Sequence, residues 1–481
     1  MIGIEQDSLD LFLGAFGVER QEAGLGFQGF GENPAPGEIA RLMARIEEAP
    51  VARRALVRRL LARAERRAQL RAGDLASAGG EVLGALVLGE LHGDAERTAV
   101  LAALPGHLAL ALRGARGQGI DPQARSFGAQ ASSLAAGLLL ARGANPELAE
   151  EGDPLAAGFM ACEHFVGGLD RLPTAEEPAP MGPHPYADLL LAESGQSIIP
   201  KDLAEAALTA MQAELREAQT IARRIAPGED IFDVVAGIGE DAPEGEAELL
   251  AAYRTAQEEV RAAVGDDFPA AETRLDIALA PSQLHGLLPL TAYLPPSRED
   301  AAGTVLLSQA LGPMKSAHAR ARTYLAIAHD GVPGSHLLFA ATGSDTLRRL
   351  LLSPFAAQGW AIYAARYAAG RLGSQKVLLI AALDAAQRAA RAFADAALHA
   401  GIAARREITG QLSEALSLPE AMAEAELLAV ARQPGGAALP WWIAGDIAQR
   451  VRQEVARGAT PRAAHARVLS EGALAQEGAE G

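Results

Sequence analysis

The sequence predicts a mainly helical fold with a small β-sheet in its C-terminal half, and two observations support this fold class. Hydrophobic residues make up 49% of the 481 residues, and abundant alanine, leucine, glutamate and arginine favour helix in most windows. Three stretches between residues 273 and 308 instead alternate apolar and polar residues: TRLDIALAP, LTAYLPPS and GTVLLSQ. These stretches predict three short strands inside a helical protein.

Changes in this pattern divide the chain into four segments. Residues 1–36 are rich in glycine and predict an irregular lead-in. Residues 37–265 show recurrent helical periodicity and predict a helical lobe. Residues 266–467 contain the predicted strands and then long helices, and residues 468–481 predict a frayed tail. The long helices of the third segment are expected at 313–329, 336–352, 354–371, 375–401 and 415–432.

The charge balance excludes one class of partner. The formal net charge is −17, whereas nucleic-acid binders usually carry a basic surface that neutralises phosphates. The basic run at residues 52–73 places leucines among arginines, which is typical of an amphipathic helix with a solvated face. We therefore expect no nucleic-acid partner.

Cysteine content and hydropathy indicate the compartment. Cys162 is the single cysteine, so internal disulfides and a thiolate zinc cluster are excluded. The N-terminus carries acids where a signal peptide needs an apolar run. No uninterrupted apolar stretch reaches the roughly 20 residues that cross a bilayer. These features predict a cytoplasmic protein without a membrane partner.

Two histidines lie on either side of a helix break in the stretch AIAHDGVPGSHLLFA, residues 327–341. His329 and His336 are seven residues apart, which on a straight helix is roughly 10 Å along the axis, too far for one metal ion. Pro333 and Gly334 interrupt such a helix, because proline removes a backbone hydrogen bond and glycine permits unusual dihedral angles. The break makes it feasible for the two histidines to share a site.

Four segments together carry a family resemblance. They are HDGVPGSHL, QGWAIYAAR at 358–366, DAALHAGI at 395–402 and QPGGAALPWWIAG at 433–445. In this order they resemble the motifs of a large bacterial family of zincin-like proteins, domain of unknown function 885, whose members are regarded as metal-dependent hydrolases or peptidases. The resemblance covers roughly residues 38–450. It implies a zincin-like helical protein with a central cleft, in which a sheet edge could hold an extended substrate.

The resemblance also implies roles for particular residues. The metal-binding positions correspond to His329, His336 and Gln358. The catalytic candidates are Asp330, Tyr363 and His399. The candidates for substrate binding are Trp360, Arg366, Trp441 and Tyr293.

Several of these positions depart from the family motif. Asp330 stands where the family has the general-base glutamate, and its carboxylate is withdrawn by about 1.5 Å, a displacement that can cost on the order of 100-fold in rate. Ser335 replaces a histidine, and Gln358 replaces an anionic glutamate ligand, which weakens metal binding. Ala365 replaces a second glutamate of the family. These losses indicate that the architecture has outlasted the hydrolytic chemistry.

The leading hypothesis is a diverged hydrolase homologue that has lost zinc-dependent hydrolysis. Such a protein would keep the cleft for binding a small molecule or peptide, or for a metal-independent reaction, for example in a biosynthetic pathway. No cofactor is expected, and both histidines would then make hydrogen bonds. Two alternatives stay open: an active zinc hydrolase with Asp330 as base and Gln358 as ligand, and a non-catalytic scaffold or partner subunit. The oligomeric state is not predicted.

Overall fold

The structure is a computed structural model, and it describes most of the chain. The described residues are 3–16, 21, 28–31, 34–35, 37–73, 77–115, 120, 122–147, 152–174, 180–271, 273–284, 290–296, 302–308, 312–343, 345–352 and 354–470.

The described residues are mainly helical, as the sequence predicts. The α-helices are α1 Ile4–Ala15, α2 Glu38–Ala44, α3 Val51–Gly73, α4 Ser77–His92, α5 Asp94–Gly114, α6 Pro122–Ala141, α7 Pro154–Asp170, α8 Pro183–Ser194, α9 Pro200–Ile225, α10 Ile231–Gly239, α11 Glu246–Val264, α12 Arg320–Asp330, α13 Ser335–Thr342, α14 Thr346–Leu351, α15 Pro354–Leu372, α16 Gln375–His399, α17 Arg405–Leu416, α18 Glu420–Arg432, α19 Ala438–Ala456 and α20 Pro461–Ser470. Short 3-10 helices are Ile46–Glu48, Gly265–Asp267, Ser282–Leu284 and Gly312–His318.

The small sheet contains all three strands that the alternating patterns predict. They are β1 Leu275–Leu279, β2 Thr291–Leu294 and β3 Gly303–Leu307. β3 lies in the middle, parallel to β1 and antiparallel to β2. Its Val305 is the pairing partner of residues on both neighbouring strands.

The chain forms two compact units. The first comprises 1–179 with 281–287 and 296–300, and the second comprises 180–280, 288–295 and 301–481. The contact-based division thus lies near residue 180, whereas the change in sequence pattern that we used lies at residue 265. Helices α9 and α11 belong to the second unit, where their buried residues share one apolar core with strand β3 and helices α12, α15 and α16. Every residue of the candidate site lies in this second unit.

Some elements differ from the sequence expectations. Helix α1 lies within the segment expected to be irregular, because Ile4, Leu9 and Phe12 recur at helical spacing and are buried. The predicted helix 336–352 is two helices, since Gly343 takes a φ of 54° and the Asp345 side chain accepts a hydrogen bond from a backbone N–H of the next helix.

Further differences lie in the C-terminal half of the chain. The predicted helix 313–329 begins as the 3-10 helix Gly312–His318 before α12. Helices α17, α19 and α20 were not predicted, and α20 ends at Ser470, within the segment expected to be frayed. The rest of that segment, 471–481, lies outside the described residues.

Candidate functional site

The turn between His329 and His336 is held in place by a neighbouring helix. Helix α12 ends at Asp330 and α13 begins at Ser335. Gln257 of α11 is buried and pairs with the backbone of Val332: its Nε2 donates to the Val332 carbonyl at 3.0 Å, and its Oε1 accepts from the Val332 N–H at 3.2 Å. A Cβ atom at Gly334 would collide with the carbonyl of His329, so this close approach requires glycine. The predicted break is confirmed.

His336 is a fully buried residue with both ring nitrogens engaged. Its Nε2 lies 3.0 Å from the carbonyl oxygen of Thr273 and donates to it. The Nδ1 atom therefore accepts the hydroxyl hydrogen of Tyr293, at 3.0 Å. Burial lowers the pKa of His336, while its bond to the Thr273 backbone acts in the opposite direction. The imidazole is therefore neutral and ties helix α13 to strand β2 and to the residues before β1.

Strand β3 accommodates this pair by carrying a glycine. A Cβ at Gly303 would lie 2.5 Å from Nδ1 of His336 and 2.6 Å from the hydroxyl of Tyr293. Both distances are shorter than any normal carbon contact. The first residue of β3 thus has to be glycine for the Tyr293–His336 bond to form.

His329 is oriented by the residue that follows it. Its Nδ1 donates to Oδ1 of Asp330 at 2.7 Å. Its Nε2 is buried and has no hydrogen-bond partner among the described residues. The imidazole as a whole retains 17% of its side-chain exposure. Asp330 therefore orients the imidazole of His329 and leaves its Nε2 without a partner in the described part of the chain. The adjacency of the two residues in the sequence did not predict this arrangement.

Helix α15 places its two motif residues in opposite environments. Gln358, the expected third metal ligand, is exposed. Trp360 is fully buried, and its indole N–H is shared between the carbonyls of Pro333 and Gly334, at 2.9 and 3.1 Å. Trp360 thus contacts the backbone of the turn, while Gln358 lies at the surface.

Tyr363 is bonded to a residue that the sequence reasoning missed. Its hydroxyl donates to Nε2 of His465 at 2.7 Å, and Nδ1 of His465 donates to the Asp267 carbonyl at 2.6 Å. Burial, as the largest cause, raises the pKa of Tyr363 and lowers that of His465. The spacing of Ala464, His465, Val468 and Leu469 on α20 is the signal that predicts a buried face there.

Asp395 caps a helix inside the core. It is fully buried, and its carboxylate accepts hydrogen bonds from the Tyr186 hydroxyl at 2.9 Å and from three backbone N–H groups at 2.9–3.0 Å. The three N–H groups belong to Gly435, Ala437 and Ala438, at the start of α19. Burial raises the pKa of Asp395, and these backbone bonds oppose the rise. Asp395 thus holds the start of α19 against α16 and the Tyr186 side chain.

His399 stacks on Tyr186 with ring centroids 5.5 Å apart. It is buried, and neither ring nitrogen makes a hydrogen bond of normal geometry, although the Val430 backbone is close enough to favour its charged form slightly. Burial nevertheless lowers the pKa of His399. His399 and Asp395 therefore meet through Tyr186 and do not bond to each other.

The remaining candidates lie in ordinary packing contacts. Arg366 donates to both carboxylate oxygens of Glu214, at 2.8 and 3.0 Å, and to the Ala381 carbonyl at 3.1 Å. Trp441 is partly buried against the main core of the second unit. The predicted roles of Arg366 and Trp441 in substrate binding stay predictions.

These residues do not fit a zinc site. A zinc ion needs imidazole nitrogens with free lone pairs, and both nitrogens of His336 are occupied by the chain itself. Gln358 lies at the surface and carries no charge. Within the part of the chain that the structure describes, no group of three or more histidine, cysteine, aspartate or glutamate side chains could hold a metal ion.

The fold and the site together define a mainly helical protein. In it, the segment from His329 to His336 is hydrogen-bonded through His336 to a small mixed sheet. The chain belongs to the bacterial family of proteins of unknown function called DUF885, whose sequence profile matches residues 35–476. The family resemblance is thereby confirmed. The finer assignment, a zincin-like hydrolase, stays a prediction.

Two solved structures have a similar fold. A "putative lipoprotein of unknown function" from Shewanella oneidensis is 12% identical, with a TM-score of 0.72 over 98% of this chain and 97% of that one. A "putative lipoprotein" from Colwellia psychrerythraea is 15% identical, with a TM-score of 0.64 over 98% of this chain and 99% of that one. At these identities the likeness concerns the fold alone.

No protein of curated function matches this chain. In the described ranges, none of the helices combines the length and the apolarity that a bilayer crossing requires.

Proposed function

We propose that this protein is a diverged member of its family that does not hydrolyse substrates with zinc, and that binds a small molecule or peptide next to His329. The observation that carries the proposal is the engagement of His336, whose two ring nitrogens bond to Tyr293 and Thr273. An active hydrolase would require His336 to give up at least one of these bonds in order to ligate the ion, and exposed Gln358 to turn toward the same ion.

The His329–Asp330 pair supports a role that needs no metal. A carboxylate that accepts from Nδ1 fixes the tautomer, so that Nε2 carries the lone pair. An imidazole held in this way can accept a hydrogen bond or a proton from a ligand. A buried nitrogen without a protein partner usually has a water molecule or another group as its partner, and we assign that place to the ligand.

Metal analysis tests the loss of zinc chemistry. The wild-type protein, purified without chelator and incubated with zinc, should retain far less than one equivalent after gel filtration. A variant that restores the family residues, Asp330→Glu with Ser335→His and Gln358→Glu, should retain more. A matched control makes the same three exchanges at exposed positions: Asp170→Glu, Ser126→His and Gln212→Glu. Near-stoichiometric zinc in the wild type would overturn the proposal.

Ligand binding is tested by a thermal-shift screen against metabolites and short peptides. A ligand present at 100 times its dissociation constant stabilises the folded state by about 2.7 kcal/mol. The stabilisation should vanish in His329→Ala and persist in His164→Ala, since His164 is exposed in the other compact unit. A ligand whose effect is equal in both variants would place the binding site elsewhere.

A further inference from the structure

The C-terminal helix inserts a histidine into an aromatic cluster. His465 of α20 is fully buried and stacks on Phe268, with ring centroids 3.9 Å apart and planes 15° apart. Trp360 and Tyr367 meet it edge-on, at 6.4 and 5.1 Å, and Tyr363 is tilted against it at 5.7 Å. Three of these four neighbours lie on α15, the helix that contacts the turn.

Both ring nitrogens of His465 make hydrogen bonds, and the complete burial of the ring favours a neutral imidazole. Nδ1 donates to the Asp267 carbonyl, so Nε2 must accept the hydroxyl hydrogen of Tyr363. A proton on Nε2 would require the Tyr363 hydroxyl to turn and accept instead of donate, and would place a charge among buried aromatic rings. The docked position of α20 thus depends on the protonation state of one side chain.

A continuous set of contacts joins this cluster to the turn of the candidate site. Trp360 and Tyr363 lie with ring centroids 5.8 Å apart. The indole N–H of Trp360 donates to the carbonyls of Pro333 and Gly334. The same turn follows His329 directly, so any loosening of the cluster changes the backbone that positions this histidine.

We propose that helix α20 is a pH-sensitive latch, a helix whose docking holds the turn 331–334 in place and which is released when His465 is protonated. The inference stands independently of the proposed function, since it concerns the packing of the turn and not the identity of any ligand.

The charged groups nearest to His465 are paired or exposed, so we assign the pH response to His465 itself. The Asp267 carboxylate is held by the Tyr367 hydroxyl at 2.7 Å and by Arg371 at 3.0 Å. It attracts a charged imidazole, but burial outweighs this attraction and lowers the pKa of His465. Asp266, next to it on the 3-10 helix, is exposed.

Charges on the other packed elements pair with each other or act on Tyr363. On α19, Glu454 pairs with Arg467 of α20 at 2.7 Å, and Arg450 pairs with Asp446 at 2.8 Å. Arg452 acts on Tyr363, where it opposes the pKa rise caused by burial.

Helix α13 contributes His336 as a further titratable group, and its ring nitrogens bond to Tyr293 and Thr273. On α20 itself, Arg462 is exposed. Neither residue bonds to the ring of His465.

The direction of the pH effect follows from the two states of His465. When α20 is released, the imidazole of His465 titrates near pH 6.5. When α20 is docked, the pKa of His465 is lower. Docking is therefore at full strength above pH 6.5 and weakens as the pH falls below this value. Between pH 7.5 and 5.5, the neutral fraction of the free imidazole falls about tenfold, and this change sets the expected rise in the opening equilibrium of α20.

Tryptophan fluorescence provides the first test, because the chain has three tryptophans and Trp360 is fully buried. In a Trp441→Phe, Trp442→Phe background, acrylamide quenching of Trp360 should increase as the pH falls from 7.5 to 5.5. In His465→Gln, whose neutral amide can both donate and accept, the increase should disappear. The matched control is His318→Gln, a buried histidine that bonds to Tyr253 at 3.0 Å and to the Ser308 carbonyl at 2.9 Å; it should keep the pH response.

Hydrogen exchange on the wild-type protein provides a second test that does not depend on a variant. Amides of residues 461–470, corrected for intrinsic rates, should lose protection about tenfold between pH 7.5 and 5.5. Unchanged protection would overturn the proposal. So would a fluorescence response that persists in His465→Gln or that disappears in His318→Gln.

Discussion

The bond between Tyr293 and His336 yields the sharpest prediction. Tyr293→Phe removes one oxygen atom and leaves the ring in place. The His336 imidazole is fully buried, and its other nitrogen is already bonded to Thr273, so Nδ1 would lose its hydrogen-bond partner. A buried acceptor without a partner costs about 1–3 kcal/mol. We expect the free energy of unfolding to fall by this amount.

The assay is urea unfolding at pH 7.5, followed by circular dichroism. Tyr324→Phe serves as the matched control, because the Tyr324 hydroxyl bonds to Glu259 at the exposed surface, where water can replace it. A surface substitution of this kind changes stability by less than about 0.5 kcal/mol. The two variants remove the same atom, so their difference isolates the effect of burial.

Equal stability of the two variants would refute the reasoning. It would mean that Nδ1 of His336 does not depend on Tyr293 and is available to a metal or a ligand. A zinc-induced rise in the melting temperature of the wild-type protein would also contradict the argument, because it would show that the folded protein binds zinc.

Two further substitutions test the residues around this bond and in the core. Gly303→Ala should destabilise the protein by about 1–3 kcal/mol in the same urea assay, because the new methyl group would overlap His336. The control is Gly410→Ala in α17, where the new methyl group has open space; it should be neutral or stabilising by up to about 1 kcal/mol. Asp395→Asn should cost about 1–3 kcal/mol in thermal or urea unfolding, since in either orientation the amide NH2 would face at least one backbone N–H donor. Asp384→Asn, in a surface ion pair on the same helix, should cost less than about 1 kcal/mol. A Gly303→Ala protein as stable as Gly410→Ala, or matching losses for the two aspartates, would contradict these contacts.

The local features of the fold could be predicted from the sequence. The three strands follow from apolar–polar alternation, which depends only on neighbouring residues. The break between His329 and His336 follows from the chemistry of proline and glycine. Errors occurred where one residue ended a helix inside a continuous apolar pattern, as Gly343 does.

The partners of the site residues could not be predicted, because they come from distant parts of the chain. Gln257 and Val332 are 75 residues apart, and Tyr363 and His465 are 102 apart. Helical periodicity indicates that a side chain faces the core, but it does not show which side chain lies opposite. A motif comparison could align Gln358 with a metal ligand, yet only the packing of α15 exposes that residue.

The order of the strands in the sheet has a consequence for biosynthesis. The last strand to leave the ribosome, Gly303–Leu307, is the one that both others need as backbone partner. Until it emerges, the backbone N–H and C=O groups of Leu275–Leu279 and Thr291–Leu294 that pair with it must hydrogen-bond to water. The helices before these strands have by then already been synthesised. A nascent chain arrested before residue 303 should therefore acquire helix but none of this sheet, and its unpaired strand edges would be the part most in need of a chaperone.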